Sequence, residues 1–548
     1  MKYTLPLEQL AANVAAHPDK PYLHQPVDRE WHTLTWAEVD NQARIIATAL
    51  LTQGFSPGDR IAILAKNSAE WFITDFAIMM AGMISVPIYA TAGVDTIRYI
   101  MDHSGARAVF VGKLDDTRAA EQAFDDSVLI ITYPYPTIRG QVQFTQWLEE
   151  YEPLQDAHQP LPEDTVTLVY TSGSTGQPKG VVLSYQNVAS SSYEAAHIQP
   201  RTDQERCMSY LPLAHITERC VVELVTLYIS MEIFFVESLD TFVEDVRHAQ
   251  PTIFISVPRL WTKFQAQILA KIPDKKLQTL LKIPLIGHFV ARKIRHELGF
   301  DKVRMYGSGS APISPSTLEW YSRLGINISE GWGMTETSGL SCGNNPFDRS
   351  RLGTIGVPVP CVEMKLSEEG EVLIRGDAVF KEYYKNPEAT AEAFTDGWFH
   401  TGDRAKLDSN GTWSIIGRVK EQFKTAKGKY VAPVPIESLL SRNSDIEQVC
   451  VLGSGRKQPL AIAVLSEQAK GLSESTRKQL QSTLEMVNAE LESHQRLDHI
   501  IVSDDPWTIE NDLLTPTLKI KRDKLEQRYS KYLLSTLPQA VVWEQEIR

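Results

Sequence analysis

Between Tyr170 and Gly180 the chain reads YTSGSTGQPKG, with small hydroxyl side chains at Thr171, Ser172, Ser174 and Thr175 interleaved with Gly173 and Gly176 and followed by Lys179. Glycines let backbone N–H groups wrap an anion, hydroxyls add donors, and a lysine supplies a point charge. The chemistry this composition suits is the holding of a polyphosphate. Pro178 stands where the Walker pattern demands a glycine before the lysine, so the loop is not the common P-loop.

A second pair of candidates comes from hairpin arithmetic. In RAKLDSNGTWSIIG, Asn410-Gly411 lies between two alternating runs, a strong turn signal. If those two are the turn residues, 409 faces 412, and the register then pairs Asp403 with Arg418 at the open end. Taken alone, the pair reads as a cross-strand ion pair worth roughly 0.2 to 1 kcal/mol.

These residues need a scaffold. The apolar β-branched run TVTLVY (165–170) precedes the glycine-rich loop, TIFISV (252–257) precedes Pro258 and a helical pattern, and KVRMY (302–306) precedes GSGSAPIS. That strand, loop and helix rhythm predicts an α/β fold with mainly parallel sheets, whose ligands sit beyond the carboxyl ends of the strands. After about residue 418 the texture changes. EQVCVLG and PLAIAVLS read as two paired strands, Thr476 to His494 as an amphipathic helix, and LDHIIVS as a further strand. The expected organisation is a large multi-layer amino-terminal domain (1–418) and a small α+β carboxy-terminal domain (419–548), mobile if the basic run GRVKEQFKTAKGK that joins them, a candidate hinge, lets it turn.

The chain has 548 residues, enough for several domains at about 100 to 200 residues each. Its 43% hydrophobic and 22% charged content is that of a folded globular protein. A net charge of −13 argues against a nucleic-acid surface, so anionic ligands must be met locally. Five scattered cysteines show no paired spacing and read as core thiols in a reducing compartment. The start, MKYTLPLEQL, lacks the charged and apolar regions of a secretory signal, which suggests a cytoplasmic location. Phe76 to Val94 is apolar, but its glycines, proline and hydroxyls favour a buried helix running into a strand. Residues 263–304 hold ten Lys or Arg against three Asp or Glu and carry LLKIPLIGHFV. This basic amphipathic segment is a candidate for peripheral membrane contact.

The phosphate loop resembles the signature of the adenylate-forming (AMP-binding) superfamily. Further motifs follow in that family's order: YLPLAHITER (210–219), YGSGSAPIS (306–314), EGWGMTETSG (330–339), DGWFHTGD (396–403), GRVKEQFKTAKGKYVAP (417–433) and LLTPTLKIKR (513–522). LPLAHITER and the C-terminal motif are most similar to the long-chain fatty acyl-CoA synthetase branch. The resemblance implies ATP, Mg²⁺ and coenzyme A as cosubstrates and cofactor, and a fatty acid as the carboxylate. A carboxylate would attack the α-phosphate of ATP, and the CoA thiol would then displace AMP.

Residue by residue, the resemblance implies that Thr171 and Glu336 contact Mg²⁺, and that Ser172, Gly173, Ser174, Thr175, Gly176 and Lys179 hold the phosphates. Thr335 would touch the α-phosphate. Trp332, beside Gly333, would wall the adenine where the family usually has Tyr. Asp403 would accept from the ribose hydroxyls with Arg418 beside it. Gly309, Ser310 and Ala311 would permit close approach of the adenylate. Lys519 resembles the family's mobile lysine, although no glycine precedes it, and Lys521 competes for the role. Lys420 would mark the hinge, Lys424 a nucleotide contact and Gly428 the pantetheine tunnel. His215 would sit between the acyl and CoA routes. Two other readings stay open: an acyl-AMP ligase serving a carrier protein, and a non-catalytic nucleotide-binding regulator.

Overall fold

Arg60–Ala65 (RIAILA) and Ala108–Gly112 (AVFVG) are apolar without alternation, the pattern of strands covered on both faces. They pair in parallel near the middle of an eight-stranded sheet. The sheet continues on one side through Ile84–Ile88, Thr165–Thr171, Lys179–Ser184 and Glu382–Tyr383, the last two running antiparallel. A second, nine-stranded sheet has a parallel interior that includes Arg206–Ser209, Ile253–Ser256, Met305–Ser308 and Ile328–Trp332. The computed structural model describes residues 3–171, 177–198, 202, 204–467, 469–471, 473–509, 511–515, 519–533 and 537–547.

Helices fill the space between and outside these sheets. The largest core cluster joins inner residues of both, such as Ile61, Ile63 and Phe110 with Ile233 and Phe235, through helices Trp36–Thr52, Ala69–Met80 and Tyr185–His197. Helix Tyr185–His197 can start directly at the strand end because Ser184 accepts from Asn187 N and Asn187 reciprocates, a capping box. The outer faces are covered separately: Phe234 and Phe254 lie with Trp261 and Phe264, and Leu64 and Val111 with Ile97 and Ile100. The expected multi-layer α/β arrangement with mainly parallel sheets is therefore present. An antiparallel five-stranded sheet, which includes Trp398–Leu407 and Trp413–Arg418, adds to it.

The carboxy-terminal unit is built on a four-stranded sheet of Ile446–Leu452, Leu460–Leu465, His499–Val502 and Val541–Trp543. Its two faces alternate into separate cores, Val449 and Val451 toward helix Glu474–Glu490, Cys450 and Leu452 toward Trp507 and Tyr529. That helix ends four residues earlier than its expected boundary at 494, because Asn488 turns its amide to cap Leu497 across the following loop. The strand expected at 302–306 is Met305–Ser308, since Val303 and Arg304 belong to the turn that enters it. All five cysteines are buried. Phe76 lies in helix Ala69–Met80, which leads into strand Ile84–Ile88, and among the described residues no helix is long and apolar enough to cross a membrane.

A buried ion pair fixes the segment carrying His215 to the strand carrying the phosphate loop. Arg219, 2% exposed, bonds Asp75 at 2.6 and 2.7 Å, Thr167 Oγ1 at 2.5 Å and Ser85 Oγ at 2.8 Å. Thr167 belongs to Thr165–Thr171. Removing one partner of such a pair leaves an uncompensated buried charge, at a cost of roughly 3 to 5 kcal/mol. Glu223 stands 3.7 Å from Arg219, and burial with Asp75 pushes its carboxyl well above the usual range.

Candidate functional site

The stem of the phosphate loop is a ladder pair: Thr171 faces Lys179 across two antiparallel strands. The tip, Ser172, Gly173, Ser174, Thr175 and Gly176, lies outside the described residues. Lys179 places its ammonium 4.7 Å from the ring centroid of Tyr383. Tyr383 sits there because its short strand pairs with Val181, one strand further out. Its hydroxyl donates to Glu336 Oε1 at 3.0 Å. Burial and the Glu336 carboxylate push the phenol far above its ordinary pKa, so it stays a donor. One aromatic ring thus touches both the loop lysine and the acidic residue.

Glu336 is carried by a short 3-10 turn, Thr335–Thr337, just after strand Ile328–Trp332. The turn is pinned from several sides. Phe380 N donates to Glu336 O at 2.8 Å, Ser191 Oγ to Ser338 O at 2.7 Å, and Ser341 Oγ to Thr337 Oγ1 at 2.7 Å. Gly333 is dictated by this packing, because a Cβ there would lie 1.5 Å from Gly339 O. Thr335 and Glu336 are both buried.

Asp403 and Arg418 are paired in the ladder, and Arg418 Nε donates to Asp403 Oδ1 at 2.9 Å. The turn that produces this pairing differs from the expected one. Asp408 N donates to Thr412 O, so three residues, Ser409 to Gly411, form the loop, and Leu407 faces Trp413. A bulge at Ile416 adds one residue to the second strand and restores the 403–418 register. Trp332 Nε1 donates to Asp403 Oδ2 at 2.9 Å. Among the described residues each carboxylate oxygen thus has one donor, which leaves it a lone pair. Burial raises the Asp403 pKa, while Arg418, the Trp332 hydrogen bond and Lys519 oppose that rise.

Lys519 reaches this group from the carboxy-terminal unit. Its surroundings lower its ammonium pKa through burial first and Arg418 second, with Asp403, Glu336 and Glu421 acting in the other direction. The residue as a whole is exposed. Its competitor is engaged elsewhere, since Lys521 Nζ pairs with Asp512. His215 lies within electrostatic range of the same lysine. Burial, with Lys519 as the smaller cause, lowers its pKa to about 3. Its Nδ1 accepts from Thr217 N at 3.2 Å, which leaves the proton on Nε2.

Gly309, Ser310 and Ala311 follow strand Met305–Ser308, with Ser310 at φ 65° and its hydroxyl 3.5 Å from Thr217 Oγ1. A Cβ at Gly309 would approach Gly331 O to 3.3 Å. Lys420 is exposed two residues past Arg418. Lys424 and Gly428 lie on an exposed two-stranded ribbon, with Lys424 Nζ 5.7 Å from the Tyr430 centroid and Gly428 at φ 76°. No hydrogen bond or ion pair joins them to Asp403, Glu336 or Lys519 among the described residues. The structure thus brings Lys179, Glu336, Asp403, Arg418, Lys519 and His215 toward one seam and leaves Lys424 and Gly428 on the ribbon.

The donors suit magnesium and a nucleotide. Glu336 Oε2 takes no hydrogen bond among the described residues, and no cluster of three or more His, Cys, Asp or Glu able to cage a metal occurs among them. One carboxylate and one hydroxyl are what Mg²⁺ needs from protein when phosphate oxygens and waters complete its shell.

A fold of parallel sheets with a small appended lobe, and a site at their seam, define an adenylate-forming enzyme. The chain belongs to the AMP-binding enzyme family: that family's model matches residues 10–384, and the model of the AMP-binding enzyme C-terminal domain matches 420–536. This family uses ATP, coenzyme A and Mg²⁺. The chain is 31% identical to fatty acyl-CoA synthetase A of Dictyostelium discoideum, over 92% of this chain and 85% of that one. It is equally 31% identical to long-chain-fatty-acid–CoA ligase 1 of Homo sapiens, over 93% and 82%. A crystal structure of the anthranilate CoA ligase AuaEII with anthranoyl-AMP superposes with a TM-score of 0.81 at 22% identity, covering 97% of this chain and 98% of that one. The protein is thus an AMP-forming ligase of the acyl-CoA ligase type.

Sequence reading missed Tyr383 and Arg219. Arg219 ends a motif already singled out. Tyr383, in KEYYKNPEAT, gave no signal, because only long-range strand pairing brings it to the site.

Proposed function

We propose that the protein ligates a long-chain fatty acid to coenzyme A through an acyl-adenylate. In the first half-reaction a carboxylate oxygen bonds to the α-phosphorus of ATP and the bond to the β-phosphate oxygen breaks, releasing pyrophosphate. In the second, the CoA sulfur bonds to the acyl carbon and AMP leaves. The observation that carries this reading is the buried Asp403 carboxylate held by Arg418 and Trp332, with Lys519 of the carboxy-terminal unit acting electrostatically on it.

The first step brings an anion to a polyanion. Two like charges about 4 Å apart repel by roughly 4 kcal/mol at an effective dielectric near 20. Lys519 would bridge carboxylate and α-phosphate, and Lys179 would neutralise the phosphates. Glu336 and Thr171 would hold Mg²⁺, which supplies charge neutralisation on the phosphate oxygens. Asp403 would take the ribose hydroxyls on its free lone pairs, with its orientation fixed by Arg418 and Trp332. The hydrogen bond from Trp332 Nε1 to Asp403 fixes the indole, whose ring would wall the adenine.

The second half-reaction needs Lys519 to leave and the ribbon bearing Lys424 and Gly428 to arrive, by rotation near Lys420. Arg404 Nη1 donates to Gln422 Oε1 across that hinge at 2.9 Å, and Arg259 pairs with Glu447 of the carboxy-terminal unit at 3.6 Å. The long-chain preference is supported by the fatty acyl relatives and not by any pocket residue. Pyrophosphate release over a fatty-acid series, with and without CoA, tests the reading. Long chains should give the highest rate, with sustained turnover only when CoA is present. Release unaffected by CoA would redirect the acyl group to another acceptor, and no release with any acid would refute catalysis.

A further inference from the structure

The basic segment identified in the sequence folds into three helices, Pro258–Lys271, Asp274–Leu281 and Ile286–Glu297. On the last, Gly287, Ala291 and Ile294 face the core. Ile286 and Phe289 occupy the opposite side of the first turn, and Arg292 and Lys293 follow on the next. The connecting turn is unusually apolar and unusually bare. Leu285 is 87% exposed, Phe289 67%, Ile286 47% and Ile283 41%. Leu285 also takes φ 67°, a conformation unfavourable for a residue with a β carbon. The backbone is thus distorted at the one point that holds a leucine at the apex.

The charges around this apex have one sign. Lys282, Arg292 and Lys293 are exposed, and none has an ion-pair partner among the described residues. The acids of the segment are used elsewhere: Asp274 accepts from Trp320 and Gln278, Glu297 pairs with Arg247, and Asp301 with His296. This is a cationic, apolar-tipped projection on a chain of net charge −13.

We propose that the turn Lys282–Phe289 docks onto an anionic lipid bilayer, with Leu285, Ile286 and Phe289 entering the interface and Lys282, Arg292 and Lys293 at the headgroups. Charge complementarity selects this occupant. A second copy would bring the same cations face to face, and a residue exposed as fully as Leu285 forms an apex that enters a fluid interface more readily than it forms a flat protein contact. A surface of this type binds by apolar insertion added to attraction for anionic lipid.

The test is co-sedimentation of the full chain, without substrate, with vesicles of phosphatidylcholine and of an equal mixture of phosphatidylcholine and phosphatidylserine. Readout without substrate keeps this result separate from the fatty-acid assignment. Each cation near an anionic surface raises binding roughly fivefold, so the mixed vesicles should bind at least about tenfold more protein. Leu285→Ser/Phe289→Ser and, independently, Lys282→Glu/Lys293→Glu should each reduce binding about tenfold or more, with unchanged melting temperature. Failure to bind the mixed vesicles, equal binding to both compositions, or retention by both double variants would overturn the proposal. Loss of a dimer by the variants in sedimentation velocity would assign the surface to a second copy and overturn it too.

Discussion

Tyr383 offers a perturbation whose size follows from its contacts. Tyr383→Phe keeps the ring under Lys179 and removes only the hydroxyl that donates to Glu336 Oε1 at 3.0 Å. Glu336 is buried, so Oε1 then faces protein without a donor. A hydrogen bond to a charged group contributes about 1.5 to 3 kcal/mol, and about 1.4 kcal/mol is a factor of ten. The adenylation rate at limiting Mg²⁺ should therefore fall roughly 10- to 150-fold. Tyr383→Leu also removes the ring. A cation–π contact contributes about 0.5 to 2 kcal/mol, so a further loss of roughly two- to thirtyfold in apparent ATP affinity is expected.

The assay is pyrophosphate release in the first turnover, titrated in Mg²⁺ and in ATP, beside thioester formation from supplied acyl-AMP. The phenylalanine variant should lose the first activity and keep the second within about twofold, a difference too small to count on this energy scale. Full adenylation with an unchanged Mg²⁺ requirement would show that the hydroxyl does not hold Glu336 in its working position. Equal loss in both half-reactions would point to general damage and refute the assignment as well.

Lys519→Ala should slow adenylation about a hundredfold or more and leave thioester formation from acyl-AMP largely intact, whereas Lys521→Ala, which loses only its pair with Asp512, should change neither step appreciably; equal loss in both steps for Lys519→Ala would refute its role. His215 has a folded pKa of about 3 against an ordinary 6.5, so between those values the unfolded chain binds a proton the folded chain refuses, and stability falls as pH drops through that window. His215→Asn, which can still accept from Thr217 N, should flatten the fall of melting temperature over this pH range, and an unchanged slope would refute the assignment.

The readable part of the site is local composition. The glycine and hydroxyl run stood out because it packs its donors into about ten neighbouring residues, whereas the Thr335-Glu336 turn stood out only through its place in an ordered series of motifs. The Asp403–Arg418 pair was readable for a weaker reason. The two-residue turn assumed from Asn410-Gly411 is a three-residue loop, and the bulge at Ile416 cancels the error. Turn sequence sets register only together with the strands, and strand bulges leave no clear trace in composition.

Residues that position the site were harder to read because they act across the fold. Arg219 reaches Asp75, Ser85 and Thr167, which are 144, 134 and 52 residues away. Tyr383 reaches Glu336 from 47 residues away through a two-residue edge strand. In each case a polar side chain joins segments whose pairing only the closed sheets determine. Gly333 shows the converse. Its place in a nucleotide motif suggested a ligand contact, yet the 1.5 Å approach of Gly339 O to its missing Cβ already requires glycine. The same holds for Gly428, whose positive φ alone favours glycine. A glycine in a motif is therefore weaker evidence of ligand contact than a buried carboxylate with a lone pair left over, which is what Asp403 and Glu336 provide.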